Sequence, residues 1–597
     1  MFVDRISAVV YTRNAFFKLR ASMYLWFMIK LPYGISNFEA LVNEGHLFID
    51  RTSYLEKIEQ LSERYIFFLR PRRFGKSLWV SVMQYYYGVE HRDKFEALFG
   101  KYYIGQHTTS QANSYLVLKF DFSGIDTTSK ETTYEGFFSR VKKGIQQFTE
   151  IYASYLSHKA GPDILSQPAP EIMIDSLFTY VYAKGANIPK IYIIIDEYDH
   201  FTNELISFRL SEFKEITGAE GYVRSFYERI KTATQEGVVD RFFATGVSPV
   251  TLDSLTSGFN IGSNITRSPA FNEMMGFTED EVMEILQGIG ILDADLNGMM
   301  AEIQKWYNGY LFHHRGKKRM YNSDMVLYFA KEYQQQQGYP ESLLDTNISS
   351  DYGKIGKLFR LGGQDSFKSK ILSDLLSGKD IYTQLTEQFS FERKFTEYDF
   401  LSLLFYMGLL TIKGTYRSGI HLQIPNDVIR QLYFQYFAEL LERRVEFSSE
   451  MVKVETAVEA MAWENDPQPL VGLVETTLGK LSNRDWPGFD EKHLKTILVA
   501  YFYSVGIYHI KSEPEMEQKY PDLILRRRPP YDPPYQFLIE LKFAKKQDAD
   551  QAKKKIDEGR KQLKTYLQAE EVQRLENIRA WLWVFVGTEA VLVEEVR

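Results

Sequence analysis

Two groups of residues in this chain have the types and spacing that phosphate chemistry requires. The first lies in LRPRRFGKSL (69–78), where Gly75, Lys76 and Ser77 fit the end of the pattern G-x-x-x-x-G-K-[ST]. In that pattern backbone N–H groups cradle phosphates, the lysine reaches the terminal phosphates and the hydroxyl holds Mg²⁺. Arg70 stands where the first glycine is expected, followed by Pro71, Arg72 and Arg73. The cradle depends chiefly on N–H groups beside Gly75, Lys76 and the start of the next helix, so the lip changes while the floor is kept. Arg70, Arg72 and Arg73 can replace the missing turn through bidentate phosphate contacts. Alternatively, at least one of them faces nucleic acid or pairs with an acidic residue.

The partner of this loop is KIYIIIDEYDH (190–200), in which four apolar residues run into Asp196 and Glu197. Asp196 is expected to hold, directly or through water, the Mg²⁺ that Ser77 touches, and Glu197 to orient and polarise the attacking water. Thr245, in RFFATGVSP (241–249), is placed to hydrogen-bond the γ-phosphate or that water. Each piece alone has an ordinary structural reading, a turn or a strand ending in a solvated acidic pair. Their order along the chain is what points to a nucleotide.

The second group lies in KYPDLILRRRPPYDPPYQFLIELKFAKK (519–546). A strand following Asp522, a Pro-rich turn and a strand carrying Glu540 and Lys542 would form a hairpin. The period of two puts Glu540 and Lys542 on one face, and matching register brings Asp522 beside them. Asp522 and Glu540 are hard oxygen ligands suited to Mg²⁺, while Lys542 can orient an attacking water or stabilise charge on a reacting phosphodiester. Glu491, at the start of a helix in DEKHLKTILVAYFYSVG, is a further acidic candidate, for metal binding or simply as a match to the helix dipole. Arg526–Arg528, Lys545, Lys546, Lys553–Lys555, Arg560 and Lys561 make a local basic patch, which reads as a phosphate-contacting surface or as a solvated helix face.

These residues need elements to position them. RYIFFLR (64–70), SYLVLKFDFSG (114–124), 190–200 and 241–249 read as near-continuous apolar strands separated by helical stretches, the pattern of a parallel sheet covered on both faces. From 278 the chain turns mainly helical, with Thr278 and Glu281 at capping-box spacing. The aromatics of WYNGYLF (306–312) and YNSDMVLYFA (321–330) read as packing in a lid beside the nucleotide. TEYDFLSLLFYMGLLTIKGTYRSGIHLQIPNDVIRQLYFQYF, from 396, reads helix, hairpin, helix, a winged-helix-like order used for DNA contact or for packing. Its hairpin carries Lys413, Arg417 and His421. Further helices and a linker follow over 445–490, with a break at 464–469.

Composition sets the limits. The chain of 597 residues is too long for one core, so three domains are expected. It is 44% hydrophobic, has no cysteine and carries a formal charge of −7. Disulfides, thiolate catalysis and Cys-ligated zinc are thereby excluded, and any attraction to nucleic acid must come from local patches. Its apolar runs are too short to span a bilayer, and a cytoplasmic location is expected.

LPYGISNFEALVNEGHLFIDRTSYLEKI, FFLRPRRFGKSL, IIIDEYD, TGVSP, GFTEDEV and WYNGYLF resemble successive landmarks of a bacterial AAA-ATPase-like family often fused to a PD-(D/E)XK-type nuclease. In that family Arg-Pro-Arg-Arg-Phe-Gly-Lys-[Ser/Thr] is the normal loop. Asp522, Glu540 and Lys542, with Gln562 and Tyr566 following as Gln-x-x-x-Tyr, resemble the nuclease pattern. Here Tyr520-Pro521 precedes the aspartate where relatives commonly have Gly-Arg, and a proline common after Asn322 is absent.

The resemblance implies an α/β chain with a P-loop NTPase parallel sheet, a helical and winged-helix-like middle and a C-terminal PD-(D/E)XK nuclease-like α/β domain. The expected boundaries are 1–31 for an N-terminal extension, 32–277 for the ATPase, 278–470 for the lid and winged-helix-like region and 471–597 for the nuclease. The expected activity is ATP binding and hydrolysis joined to Mg²⁺-dependent cleavage of nucleic acid, DNA before RNA, under nucleotide control. The expected cofactors are ATP and Mg²⁺, with no membrane partner and self-association as an option. The alternative is a nucleotide-switched nucleic-acid-binding or interaction protein whose nuclease fold is inactive.

Overall fold

The computed structural model describes residues 29–156, 160–208, 210–218, 220–249, 259–348, 355–360, 366–387, 389, 395–445, 451–480, 490–512 and 521–597. Apart from residues 29–31, the expected N-terminal extension lies outside them. Two compact units are formed. The first comprises the described residues within Met1–Gln335, Lys357–Phe367 and Asp380–Asn426, and the second those within Gln336–Gly356, Lys368–Lys379 and Asp427–Arg597. Residues 278–470 thus contribute to both.

The first unit is built on five parallel strands, β1 (Tyr65–Leu69), β2 (Leu116–Asp121), β3 (Ile191–Asp196), β4 (Val239–Gly246) and β5 (Ser263–Asn264). Their order is β2-β3-β4-β1-β5, with all pairs parallel. Every residue of β3 is buried, so both faces are covered, as its unbroken apolar run requires. Helix α1 (Lys76–Tyr87) follows β1 directly, and α2 (Lys130–Ile151) begins with a capping box between Ser129 and Thr132 and packs on β2. Gly144 permits that approach, because a Cβ there would stand 2.6 Å from Phe120 and 2.7 Å from the Lys119 carbonyl.

Beyond the sheet, Thr278 and Glu281 form the expected capping box. Helix α3 (Ser323–Gln336) and helix α4 (Glu397–Tyr406) follow. A short strand, β6 (Ile381–Thr383), joins the expected hairpin of β7 (Thr411–Tyr416) and β8 (Gly419–Gln423) in the antiparallel order β6-β8-β7. Helix α5 (Asp427–Val445), which completes the helix–hairpin–helix order along the chain, belongs to the second unit. Two helices, Met451–Glu464 and Gln468–Lys480, flank the expected break.

The second unit centres on β9 (Tyr508–Ser512), β10 (Leu523–Arg527), β11 (Gln536–Ala544), β12 (Ile578–Val586) and β13 (Glu589–Glu595), ordered β13-β12-β11-β10-β9. Only β11 and β12 run parallel. The expected β10–β11 hairpin is present, with Leu523 opposite Ile539. Helix α6 (Glu491–Val505), capped by Asp490, precedes the sheet. Helix α7 (Ala552–Tyr566) makes the crossover from β11 to β12, burying Leu563 against Leu538, Leu582 and Val584. Gly559 lets it lie close, since a Cβ would stand 2.4 Å from Leu582. Among the described residues no helix is long and apolar enough to cross a membrane.

Candidate functional sites

The loop between β1 and α1 has the form its glycine dictates. Gly75 lies at φ +89°, a left-handed conformation that L side chains rarely adopt, and α1 begins at the next residue. The buried ammonium of Lys76 donates to the Pro71 carbonyl at 3.2 Å and stands 3.6 Å from Glu197 Oε1. The Ser77 hydroxyl hydrogen-bonds Asp196, so the two expected Mg²⁺ contacts meet. Burial, then the charge of Glu197, pushes the Asp196 carboxyl up to about 6 against the pull of Ser77 and Lys76. At Glu197 burial also pushes upward, but Lys76, His200 and Arg72 outweigh it and hold the carboxyl at about 2. Two adjacent acids are thus driven apart, one towards neutrality and one firmly ionised.

The arginines of the lip divide their work. Arg70, which the sequence offered as a phosphate contact, is fully buried and donates to the carbonyls of Leu69 at 2.9 Å, Thr266 at 3.0 Å and Phe271 at 2.6 Å. Its guanidinium ties the end of β1 to the segment that follows β5 and is not a phosphate ligand. Arg73 takes the acidic-partner option, with Nη1 2.6 Å from Asp324 Oδ2. Its own φ of +66° is strained for a non-glycine residue. Ser323 Oγ and the Asp324 N–H donate to its carbonyl, at 3.1 and 3.4 Å. Asn322 Nδ2 donates to the Arg72 carbonyl at 3.2 Å. Arg72 is half-buried and close enough to Glu197 to lower its pKa.

Thr245 is the weakest of the expected contacts. Its hydroxyl donates to the Phe68 carbonyl at 2.8 Å, so its one proton serves β1. Only an acceptor remains, which suits a water and not a phosphate oxygen.

Beside the loop opens a cavity of about 340 Å³ lined by Ile35, Phe48, Trp79, Met274, Phe277 and Leu327 along with Gly75, Lys76 and Ser77. Nothing in the sequence singles out this apolar slot, because its walls are gathered from distant stretches of chain, irregular ones around Ile35, Phe48 and Met274–Phe277 and the helices α1 and α3. The only signal was that LPYG and GFTEDEV are family landmarks with no assigned chemistry.

In the second unit the register places Asp522 opposite Glu540, one step beyond the Leu523–Ile539 pair. The Leu541 N–H donates to Asp522 Oδ2 at 2.8 Å, and Lys542 Nζ lies 2.6 Å from Glu540 Oε1. Glu491 Oε2 accepts from the Phe543 N–H at 3.2 Å, and Oε1 lies 3.8 Å from Lys542 Nζ. All four expected residues therefore converge. Leu541 is buried on the opposite face, as alternation requires.

Lys495, one turn after Glu491 on α6, was not anticipated. It is only 4% exposed, and its Nζ lies 4.0 Å from Asp522 Oδ1. An i,i+4 relation to Glu491 was the available signal. Burial raises both Asp522 and Glu540, and at Glu540 the charge of Asp522 adds to the effect. Tyr566 is pushed up to about 12 by burial and by Glu540, and hydrogen-bonds Gln562, which brings the Gln-x-x-x-Tyr pair to the same place.

Glu540 is 2% exposed, and its Oε2 has no hydrogen-bond partner among the described residues. A buried carboxylate oxygen without a donor is costly unless a cation meets it, so the donor set fits Mg²⁺. Among the described residues no three carboxylate or imidazole groups gather into a ready metal cage. Mg²⁺ usually keeps several waters and binds one or two carboxylates, and a pair is what Asp522 and Glu540 offer.

Comparison with known proteins places each of the two sites within a family-matched range. Residues 32–256 match the family described as predicted AAA-ATPase (AAA-ATPase-like), and residues 489–595 match the PD-(D/E)XK nuclease superfamily. An uncharacterized protein in the vnfD 5′ region of Azotobacter chroococcum mcd 1 is 26% identical over 325 residues, 53% of this chain and 55% of that protein. The match thus spans about half the length of that relative. A solved structure of the Aeropyrum pernix ORC2 protein, in ADPNP-ADP complexes, aligns with 70% of this chain and 96% of its own at 12% identity and a TM-score of 0.30. By the two family matches, this chain joins an AAA-ATPase-like domain to a PD-(D/E)XK nuclease superfamily domain.

Proposed function

We propose that the chain binds and hydrolyses ATP in its first unit and cleaves DNA with Mg²⁺ in its second, the first activity controlling the second. The nucleotide reading rests on the Gly75 loop, the Lys76–Glu197 and Ser77–Asp196 contacts and the apolar slot beside them, which is the right size and character for a base. Lys76 would move from Glu197 onto the terminal phosphates. Asp196 and Ser77 would hold Mg²⁺, and ionised Glu197 would orient the attacking water.

The observation that carries the nuclease reading is the buried, unpartnered Oε2 of Glu540 beside Asp522 and Lys542. A divalent cation held by Asp522 and Glu540 would neutralise charge on the scissile phosphate and acidify its bound water. Lys542, steadied by Glu540 and Glu491, would orient that water or stabilise the charge that develops on phosphorus oxygens. The test is cleavage of plasmid and single-stranded DNA in Mg²⁺ by the full chain. Cleavage should be lost in Asp522→Ala and in Lys542→Ala and kept in Lys553→Ala, a change in the basic patch; equal cleavage by all four proteins would remove the assignment.

One observation favours a second reading, nucleic-acid binding without cleavage. Lys542 already sits on Glu540 at 2.6 Å, and that ion pair competes with a cation for the same carboxylate. Retained DNA binding with no cleavage in any divalent metal would select it.

A further inference from the structure

Residues 313–319 read HHRGKKR, four cations in seven residues. The segment lies outside both family-matched ranges. It forms a loop between Tyr310 and Met320, which pair in an antiparallel bridge. Arg319 ties the loop to the three-stranded sheet, donating to the Gly309 carbonyl at 2.8 Å and the Lys413 carbonyl at 3.3 Å. Lys318 is paired with Asp280. Arg315 and Lys317 are exposed, and neither makes an ion pair among the described residues. His313 is held at about 4 by burial and by His314, Arg267 and Arg315, so further cations crowd the same place.

The sheet beside the loop has two unlike faces. Ile381, Ile412, Ile420 and Leu422 are buried on one. On the other, Tyr382 and Tyr416 are 48% and 50% exposed, with ring centroids 4.8 Å apart, and Tyr382 also rests on His421. Arg417 lies over the Tyr416 ring at 5.2 Å. Asp380, the acid of this face, is already shared by Lys413 and His421. Two exposed rings with Arg417 over one of them, on a sheet whose β7 carbonyl is tied by Arg319 to a loop holding two exposed cations, are poorly explained by packing. They are what a flexible strand of phosphates and unstacked bases requires, because each base offers a π-face to a ring and each phosphate a charge to a cation.

We propose that this face of the first unit, Arg315 and Lys317 with Tyr382, Tyr416 and Arg417, is a docking surface for single-stranded nucleic acid. It rests on the reading that the chain acts on nucleic acid, and adds a binding surface in the unit that does not hold the nuclease residues. Duplex bases keep their faces stacked inside the helix and leave the tyrosines nothing to stack on, so the strand is the occupant.

The test is fluorescence anisotropy of the full chain with fluorescein-labelled 20-nucleotide oligothymidine, oligouridine and a duplex of the same length, in EDTA and over a range of salt. Arg315→Glu with Lys317→Glu should weaken strand binding at least tenfold. It should also reduce the slope of log affinity against log salt by about 1.4, roughly 0.7 for each phosphate no longer neutralised. Tyr382→Ala with Tyr416→Ala should weaken it about tenfold with the slope unchanged, as loss of stacking does. Melting temperature confirms that these surface variants fold. Wild-type binding that neither pair of changes alters, but that Lys553→Glu with Lys555→Glu on α7 abolishes, would overturn the proposal and leave the nuclease reading intact. Duplex binding weakened as much as strand binding by Tyr382→Ala with Tyr416→Ala would also overturn it, since stacked bases leave those rings nothing to hold. No binding to any probe would overturn both, and the two oligonucleotide arms tell DNA from RNA.

Discussion

At Lys495 the second unit places a buried ammonium against a carboxylate whose other oxygen is pinned to the Leu541 N–H. The burial of Asp522 raises its pKa from the ordinary 3.8 towards neutrality. A carboxyl whose folded value lies above its unfolded one costs stability as pH rises through that interval, because the unfolded chain gives up its proton more readily. Lys495 reduces that cost. Lys495→Met should therefore destabilise the chain by about 3 kcal/mol at neutral pH, the order found when one partner of a buried ion pair is removed. The deficit should shrink towards pH 4.5, where Asp522 holds its proton in the folded state. Urea unfolding at the two pH values measures it, and an equal deficit at both would refute the electrostatic account. Lys495→Arg, which keeps the charge, should recover part of the loss.

Among the elements, α3 links the lid segment to the phosphate loop. Asn322 caps it, with Oδ1 accepting from the N–H groups of Asp324 and Met325 at 3.1 and 3.3 Å, while Nδ2 reaches the Arg72 carbonyl. One buried amide thus satisfies a helix terminus and holds the lip of the loop in its strained form. Loss of a helix cap costs about 1 kcal/mol, and release of the lip would add disorder to the cradle. Asn322→Ala is expected to lower the melting temperature by a few degrees and to weaken binding of a fluorescent ATP analogue about tenfold. Asn322→Asp retains the cap oxygen and loses the Nδ2 donor. It should keep most of the stability and little of the affinity, a split that separates capping from loop support.

For the whole molecule, the prediction concerns coupling of the two units. Helix α3 carries the lip contacts at its first turn and ends at Gln336, where the chain enters the second unit. A change at the loop therefore has a continuous covalent route to the second unit. ATP should change the rate of DNA cleavage by wild-type protein and leave that of Lys76→Ala unaltered. Identical wild-type rates with and without ATP would end the gating proposal and leave each activity standing.

Legibility in the sequence followed the range of the interaction. Strands β1–β4, the β7–β8 hairpin and the β10–β11 hairpin could be read because their apolar runs and alternations are local, whereas β5, β6, β9, β12 and β13 were not singled out. Asp522, Glu540 and Lys542 could be grouped because a hairpin's register follows from its period. The Arg-Pro-Arg-Arg lip could be read as permissive, since the phosphate cradle depends chiefly on N–H groups beside Gly75 and Lys76, although the left-handed φ of Arg73 could not be foreseen. The fate of each arginine could not. Arg70 is consumed by carbonyls of Thr266 and Phe271, 196 and 201 residues away, and Arg73 by Asp324. Nor could the roles of Thr245, Lys495, Asn322 and the apolar slot be read, each of which depends on contacts between distant segments. By itself the sequence determined which side chains carry charge and which faces their local elements give them. Only the tertiary structure decided which of those charges spend their hydrogen bonds on the protein and which remain for a ligand, because burial and partner are properties of the packed chain.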